Sequence, residues 1–81
     1  MPITLDQLKP GNSAAVTRLT ATGTNRRRLM DLGILPGTRL TAELRSPLGD
    51  PTAYRVRETL IALRRVQARQ IEIDSIEAVT P

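Results

Sequence analysis

The chain opens on two leucines three residues apart, Leu5 and Leu8 in "TLDQLKPG", with Thr4 placed as an N-cap and Pro10-Gly11 closing the unit. That spacing predicts one short helical turn. The stretch "SAAVTRLTA", residues 13–21, follows a Gly-Asn turn, is rich in β-branched residues and reads as a strand. Further on, "TRLTAELR", residues 38–45, alternates strictly: Leu40, Ala42 and Leu44 share one face, while Arg39, Thr41, Glu43 and Arg45 share the other. "TAYRVR", residues 52–57, alternates as well, with Tyr54 and Val56 facing inward. A hairpin centred on Gly49 sets Leu44 against Tyr54, Ala42 against Val56 and Glu43 against Arg55, so both faces match in one register. "LIAL", residues 60–63, is apolar throughout and predicts a central strand covered on both faces. "RRVQARQ", residues 64–70, reads as a helical turn, and "IEI", residues 71–73, as a closing strand.

Between the first strand and the alternating segment lies "RRRLMDLGILPGTRL". Thr24 is a suitable N-cap for a helix over residues 25–32. Arg26, Arg27 and Arg28 then fall in its first turn, where positive charge opposes the helix dipole. Packing of Leu29, Met30 and Leu32 has to hold the helix. Gly33 is placed as the C′ residue, free to take positive φ, and Ile34 and Leu29 occupy the two positions whose contact seals a Schellman cap. Pro36 and Gly37 suit the central positions of a type II turn. Short strands, tight turns and a one-turn helix before the last strand describe a mainly β domain. The expected architecture is a small, partly open barrel of about five strands with one inserted short α-helix. At 81 residues the chain is read as one domain, residues 1–81.

Composition narrows the chemistry. The chain has no Cys and no His, which removes thiolate ligands, imidazole ligands and the usual general base near neutral pH. Enzymatic activity of the common kinds is not expected, and no catalytic residue is assigned. Asp6, Asp31, Glu43, Asp50, Glu58, Glu72, Asp74 and Glu77 are the available carboxylates. Only Glu72, Asp74 and Glu77 cluster, and scattered single carboxylates hold divalent ions weakly. No metal site and no cofactor are therefore expected, beyond weak carboxylate contacts with divalent ions. The formal net charge of +4 rests on eleven Arg and one Lys. It suits an acidic partner, and equally a solvated surface of ordinary charge. No run approaches the roughly 20 apolar residues of a membrane span. The N-terminus lacks the basic and long apolar regions of a signal peptide, so the expected address is the cytoplasm.

These segments, in order and spacing, resemble the FeoA family of bacterial ferrous iron uptake. The resemblance runs through "LDQLKPG", the helix-Gly-x-x-Pro-Gly unit, the "PLGDP" loop and "IALRRVQARQIEI", nearly the whole chain. It implies an SH3-like barrel with an inserted helix. It also implies a cytosolic accessory of FeoB, the membrane permease with a GTP-binding domain, acting by protein–protein docking at the inner face of the membrane. Related domains end metal-dependent repressors, but no helix-turn-helix precedes this one, so a transport accessory is the expected role. Where the family often has Gly in the hairpin after "YRVR", this chain has Glu58-Thr59, and a bulged or wider connection is expected there.

The candidate partner-binding residues are Arg26, Arg27, Arg28, Pro47 and Leu48. Gly33, Pro36, Gly37, Gly49 and Asp50 are read as structural turn residues, with Asp50 accepting backbone hydrogen bonds in its loop. Tyr54 is the chain's one aromatic residue, which excludes an aromatic-lined groove for proline-rich peptides. The alternative function is a small basic barrel binding RNA or another acidic partner. Without Phe or Trp it lacks stacking surfaces, and only phosphate-driven binding remains.

Overall fold

The fold was obtained as a computed structural model, which describes residues 3–74 and 76–78. Seven strands and two helices follow in chain order among these residues. They are β1 (Ile3–Thr4), a 3-10 turn (Leu5–Gln7), β2 (Asn12–Leu19), α1 (Gly23–Asp31), β3 (Arg39–Arg45), β4 (Thr52–Val56), β5 (Thr59–Leu63), α2 (Arg65–Ala68), β6 (Ile71–Ile73) and β7 (Glu77–Ala78). All strand pairs are antiparallel, in the order β1-β6-β2-β3-β4-β5, with β7 beside β2. The long strand β2 is the hinge of the sheet. Its first half pairs with β3 and its second half with β6, so one strand serves both ends.

The helix cap forms as its sequence demands. Gly33 takes φ +90°, its N–H donates to the Met30 carbonyl at 2.9 Å, and the Ile34 N–H donates to the Leu29 carbonyl at 3.1 Å. These are the two bonds of a Schellman motif, and the Leu29 and Ile34 side chains are both buried. Gly37 takes φ +91° in the following turn, where the Thr38 N–H donates to the Leu35 carbonyl at 2.9 Å. The same turn is stitched to β2: the Gly37 N–H donates to the Val16 carbonyl, and the Val16 N–H donates to that of Thr38.

Several expectations are corrected. The helix begins at Gly23 with Thr22, not Thr24, at the N-cap position. The arginines therefore sit beyond the first turn, and Arg28 lies in the last turn, where the dipole favours a cation. Leu29 alone among the expected anchors is buried; Met30 and Leu32 are about two-fifths exposed. In the ribbon, Tyr54 pairs with Ala42 and Val56 with Leu40: next to the loop Leu44 already pairs with Ala53, one residue from the expected partner, and the ladder shifts by one more between Ala42 and Leu44. An extra residue in one strand turns the next side chain to the other face. Leu44 is accordingly 68% exposed while Tyr54 is buried, and Thr41, not Glu43, stands opposite Arg55. Val56 pairs with Thr59, so the next connection is a two-residue turn over Arg57 and Glu58, with Arg57 at φ +59°. It is neither bulged nor wide. Finally, "LIAL" is not central: β5 pairs with β4 and ends the sheet path, with Leu60 about half exposed and Leu63 buried.

Candidate docking surface

The three arginines of α1 project in different directions. Successive helical residues point about 100° apart, and the three side chains have different surroundings. Arg26 reaches back to β2, where its Nη1 donates to the Leu19 carbonyl at 3.2 Å. Arg27 flanks Gly23 on an open face. Arg28 turns toward α2 and, with Asn25 and Leu29, forms one wall of a groove of about 210 Å³ whose other wall is Val66, Gln67 and Gln70. Val66 is 64% exposed at its rim.

The apolar tip is held from the opposite side of α2. In the loop of residues 46–51, the Gly49 N–H donates to the Ser46 carbonyl at 2.7 Å, and the Ser46 N–H donates to the Pro51 carbonyl at 3.0 Å. Pro47 is exposed, and Leu48 at the tip is 91% exposed. Asp50 accepts a backbone hydrogen bond, but from another element: its Oδ1 receives the Arg65 N–H, the first in α2, at 2.9 Å. Gln67 completes the start of this helix by accepting the Arg64 N–H at 2.9 Å. A helix start has unsatisfied N–H groups, and a carboxylate there is favoured by charge as well. The loop and α1 thus each lie against one short helix, α2. Arg26 is tied elsewhere. The sequence reading missed Val66, a large apolar residue in a turn otherwise made of Arg, Gln and one Ala, which was the available signal.

Beneath the loop lies a second, polar cavity of about 170 Å³, bounded by Arg45, Arg65, Arg69, Asp6, Thr52 and Tyr54. The Tyr54 ring is buried, and burial pushes its phenol above the ordinary tyrosine value. The Arg69 Nε stands 3.6 Å from the Asp6 Oδ2, and the Arg45 Nη2 donates to the Leu8 carbonyl at 3.3 Å.

The clustered acids are engaged separately. Glu72 pairs with Arg18 at 3.3 Å, and Asp74 accepts the Ala15 N–H at 3.0 Å. The Glu77 side chain lies outside the described residues. Among the described residues no three acidic, His or Cys side chains converge on a common point. Among the described residues no helix is long and apolar enough to cross a membrane.

Residues 3–75 match the FeoA domain family. The Fe(2+) transport protein A/Fe(2+) transporter FeoB fusion protein of Porphyromonas gingivalis is 32% identical over 74 residues, which are 91% of this chain and 9% of that protein. The chain thus spans a small fraction of this relative. Two solved structures superpose closely. The zinc-complexed FeoA of Stenotrophomonas maltophilia, described as an SH3 domain protein, has a TM-score of 0.85 at 30% identity and covers 96% of this chain and 99% of that one. The FeoA protein of Chlorobium tepidum has a TM-score of 0.80 at 36% identity, covering 96% of this chain and 71% of that one. The mainly β architecture is therefore the SH3-like one, and this chain belongs to the FeoA family of ferrous iron transport.

Proposed function

We propose that this domain is a non-catalytic accessory of ferrous iron uptake that docks on the cytosolic part of a FeoB-type permease. One observation carries the reading: in the Porphyromonas relative, a segment 32% identical to this chain is part of the same polypeptide as the transporter. A domain held there by covalent linkage in one protein is suited to reach the same place by affinity in another. The contact surface is the one flanking α2, with Arg28 on one side, the Pro47–Leu48 tip on the other and Arg27 at its edge. Arg26 contributes charge at its margin. Charge speeds and orients encounter, while the exposed leucine supplies apolar burial. A patch of this extent fits a transient interface of small area.

The test is association with the full-length permease, with and without guanine nucleotide. Replacing Arg26, Arg27 and Arg28 with Ser weakens association and flattens its dependence on salt, since exposed charges are screened at high ionic strength. Leu48→Ser weakens association and leaves that dependence unchanged. If both folded variants bind the permease and restore iron uptake like the wild type, the surface is misassigned.

A further inference from the structure

The polar cavity beneath the loop has no assigned role. We infer that it receives a single carboxylate group, an aspartate or glutamate side chain of the protein partner that covers Leu48; the partner's being a protein rests on the docking reading.

The lining is charged in one sense. Three guanidinium groups, from Arg45, Arg65 and Arg69, face Asp6, and Asp50 stands beside them on the loop. One positive charge is left over, which matches one monovalent anion. The groups differ in how far they are occupied. Arg69 is paired with Asp6, and Arg45 serves a neutral carbonyl with one of its nitrogens. Arg65 uses its backbone N–H on Asp50, while its guanidinium has no hydrogen bond or ion pair among the described residues. That guanidinium lies against Gly49, with Nη2 3.5 Å from the position a Cβ would take there. A Cβ there would make only an ordinary contact with the fork, so glycine at 49 answers to its φ of +87° and not to a need for space.

The walls make this more than a surface charge. Thr52, Tyr54 and Leu63 are all buried. They form the floor of a polar pocket, so a carboxylate that enters it is partly withdrawn from water, which strengthens an ion pair relative to one in open solvent. A planar guanidinium also presents paired donors that match a carboxylate. At about 170 Å³ the cavity is smaller than the roughly 300–1,000 Å³ of sites for whole small molecules. It therefore suits the end of a side chain. Leu48 adjoins Gly49 at the mouth and is 91% exposed, so a segment that buries Leu48 brings its neighbouring residues over the cavity. The partner segment is accordingly apolar with an adjacent acid.

The experiment has two arms. In the first, the whole domain is titrated with acetate, and the Nε–H signals of Arg45, Arg65 and Arg69 are followed by NMR, with chloride at equal ionic strength as control. Saturable shifts with acetate, absent with chloride, are expected, and Arg65→Gln weakens the response about tenfold, the scale of one charge-assisted hydrogen bond. Arg65 has no side-chain partner to lose, so this variant keeps its fold, and Arg65→Lys tests whether the fork or the charge alone is needed. In the second arm, binding to the permease is measured for wild type and Arg65→Gln. A weakening of similar size is expected, with acetate competing for the wild type only. Shifts that match chloride overturn the cavity's role. Saturation by acetate with equal permease binding by both proteins overturns the protein source and leaves a site for free carboxylates. Saturation by acetate with no permease binding by the wild type overturns the docking reading and the protein source with it.

Discussion

Gly33 and Arg57 both hold positive φ, +90° and +59°, at the ends of regular elements, yet the two turns are built differently. At Gly33 the backbone requirement and the residue agree. The turn ends a helix, satisfies two of its last carbonyls and brings Ile34 onto Leu29. At Arg57 they disagree. A two-residue hairpin with positive φ at its first central position is the type II′ pattern, in which Gly is favoured. Here an arginine stands there, held by the ladder on either side: Val56 and Thr59 are paired, and so are the residues beyond them. The lesson is one of direction. At position 33 the residue dictates the backbone, and at position 57 the sheet dictates it. The two places also meet, since a Cβ on Gly33 would lie 3.7 Å from the Val56 Cγ1.

The largest effect expected on this comparison comes from the helix that the glycine closes. Leu29 is its one fully buried side chain, so Leu29→Ala leaves a cavity and costs about 2–5 kcal/mol in chemical denaturation. Met30→Ser and Leu32→Ser, on exposed faces, stay within about 0.5 kcal/mol. Equal losses from all three would mean that the helix is packed as its apolar pattern first suggests. Gly33→Ala comes next. The new methyl makes only an ordinary contact with Val56, so the cost, about 1 kcal/mol or more, comes from the forced φ. An unchanged denaturation midpoint for this variant would sink the Schellman assignment.

What could be read from the sequence divides along the same line. The cap, the Pro36-Gly37 turn, the Leu5–Gln7 turn and the strand Ile71–Ile73 are where residue type predicts them, although β7 follows that strand, which therefore does not close the fold. Each rests on a few adjacent residues with a local backbone need. The ribbon register was not legible, because a bulge at Glu43 carries no residue mark, and one extra residue changes the face of Leu44 while preserving the alternation. The exposure of "LIAL" had the same origin: an apolar run does not say whether its strand is central or last in the sheet. Of the candidate surface, Leu48 and the arginines were legible as types. Their separation around α1, and the part played by α2 and Arg65 between them and the loop, depend on long-range packing.

A smaller effect of opposite sign tests the second turn. A non-glycine residue at positive φ is destabilised by about 1–3 kcal/mol, while glycine gives back part of the gain through its freer unfolded chain. Arg57→Gly should therefore raise stability by about 0.5–1 kcal/mol in thermal or urea unfolding. If it lowers stability instead, the sheet is not imposing φ at this site, and the contrast with Gly33 disappears.

The smallest effect decides the register. Glu43 and Arg55 form an ion pair at 3.4 Å, with side chains 34% and 45% exposed, even though Thr41 is the ladder partner of Arg55. Such a half-exposed pair couples by about 0.2–1 kcal/mol in a double-mutant cycle and fades at high salt. That coupling alone does not separate a bulge from a regular pairing of 43 with 55. Moving the acid does. In a chain carrying Glu43→Gln, Thr41→Glu sets a carboxylate directly opposite Arg55 if the ladder shifts as described, and a coupling of about 0.2–1 kcal/mol to Arg55 returns. In the unbulged register, position 41 faces position 57, and the transplanted acid couples to Arg57 instead. Cycles against Arg55→Gln and Arg57→Gln, run on the same background, separate the two. Coupling to Arg57 alone would remove the bulge and return Leu44 to the inner face.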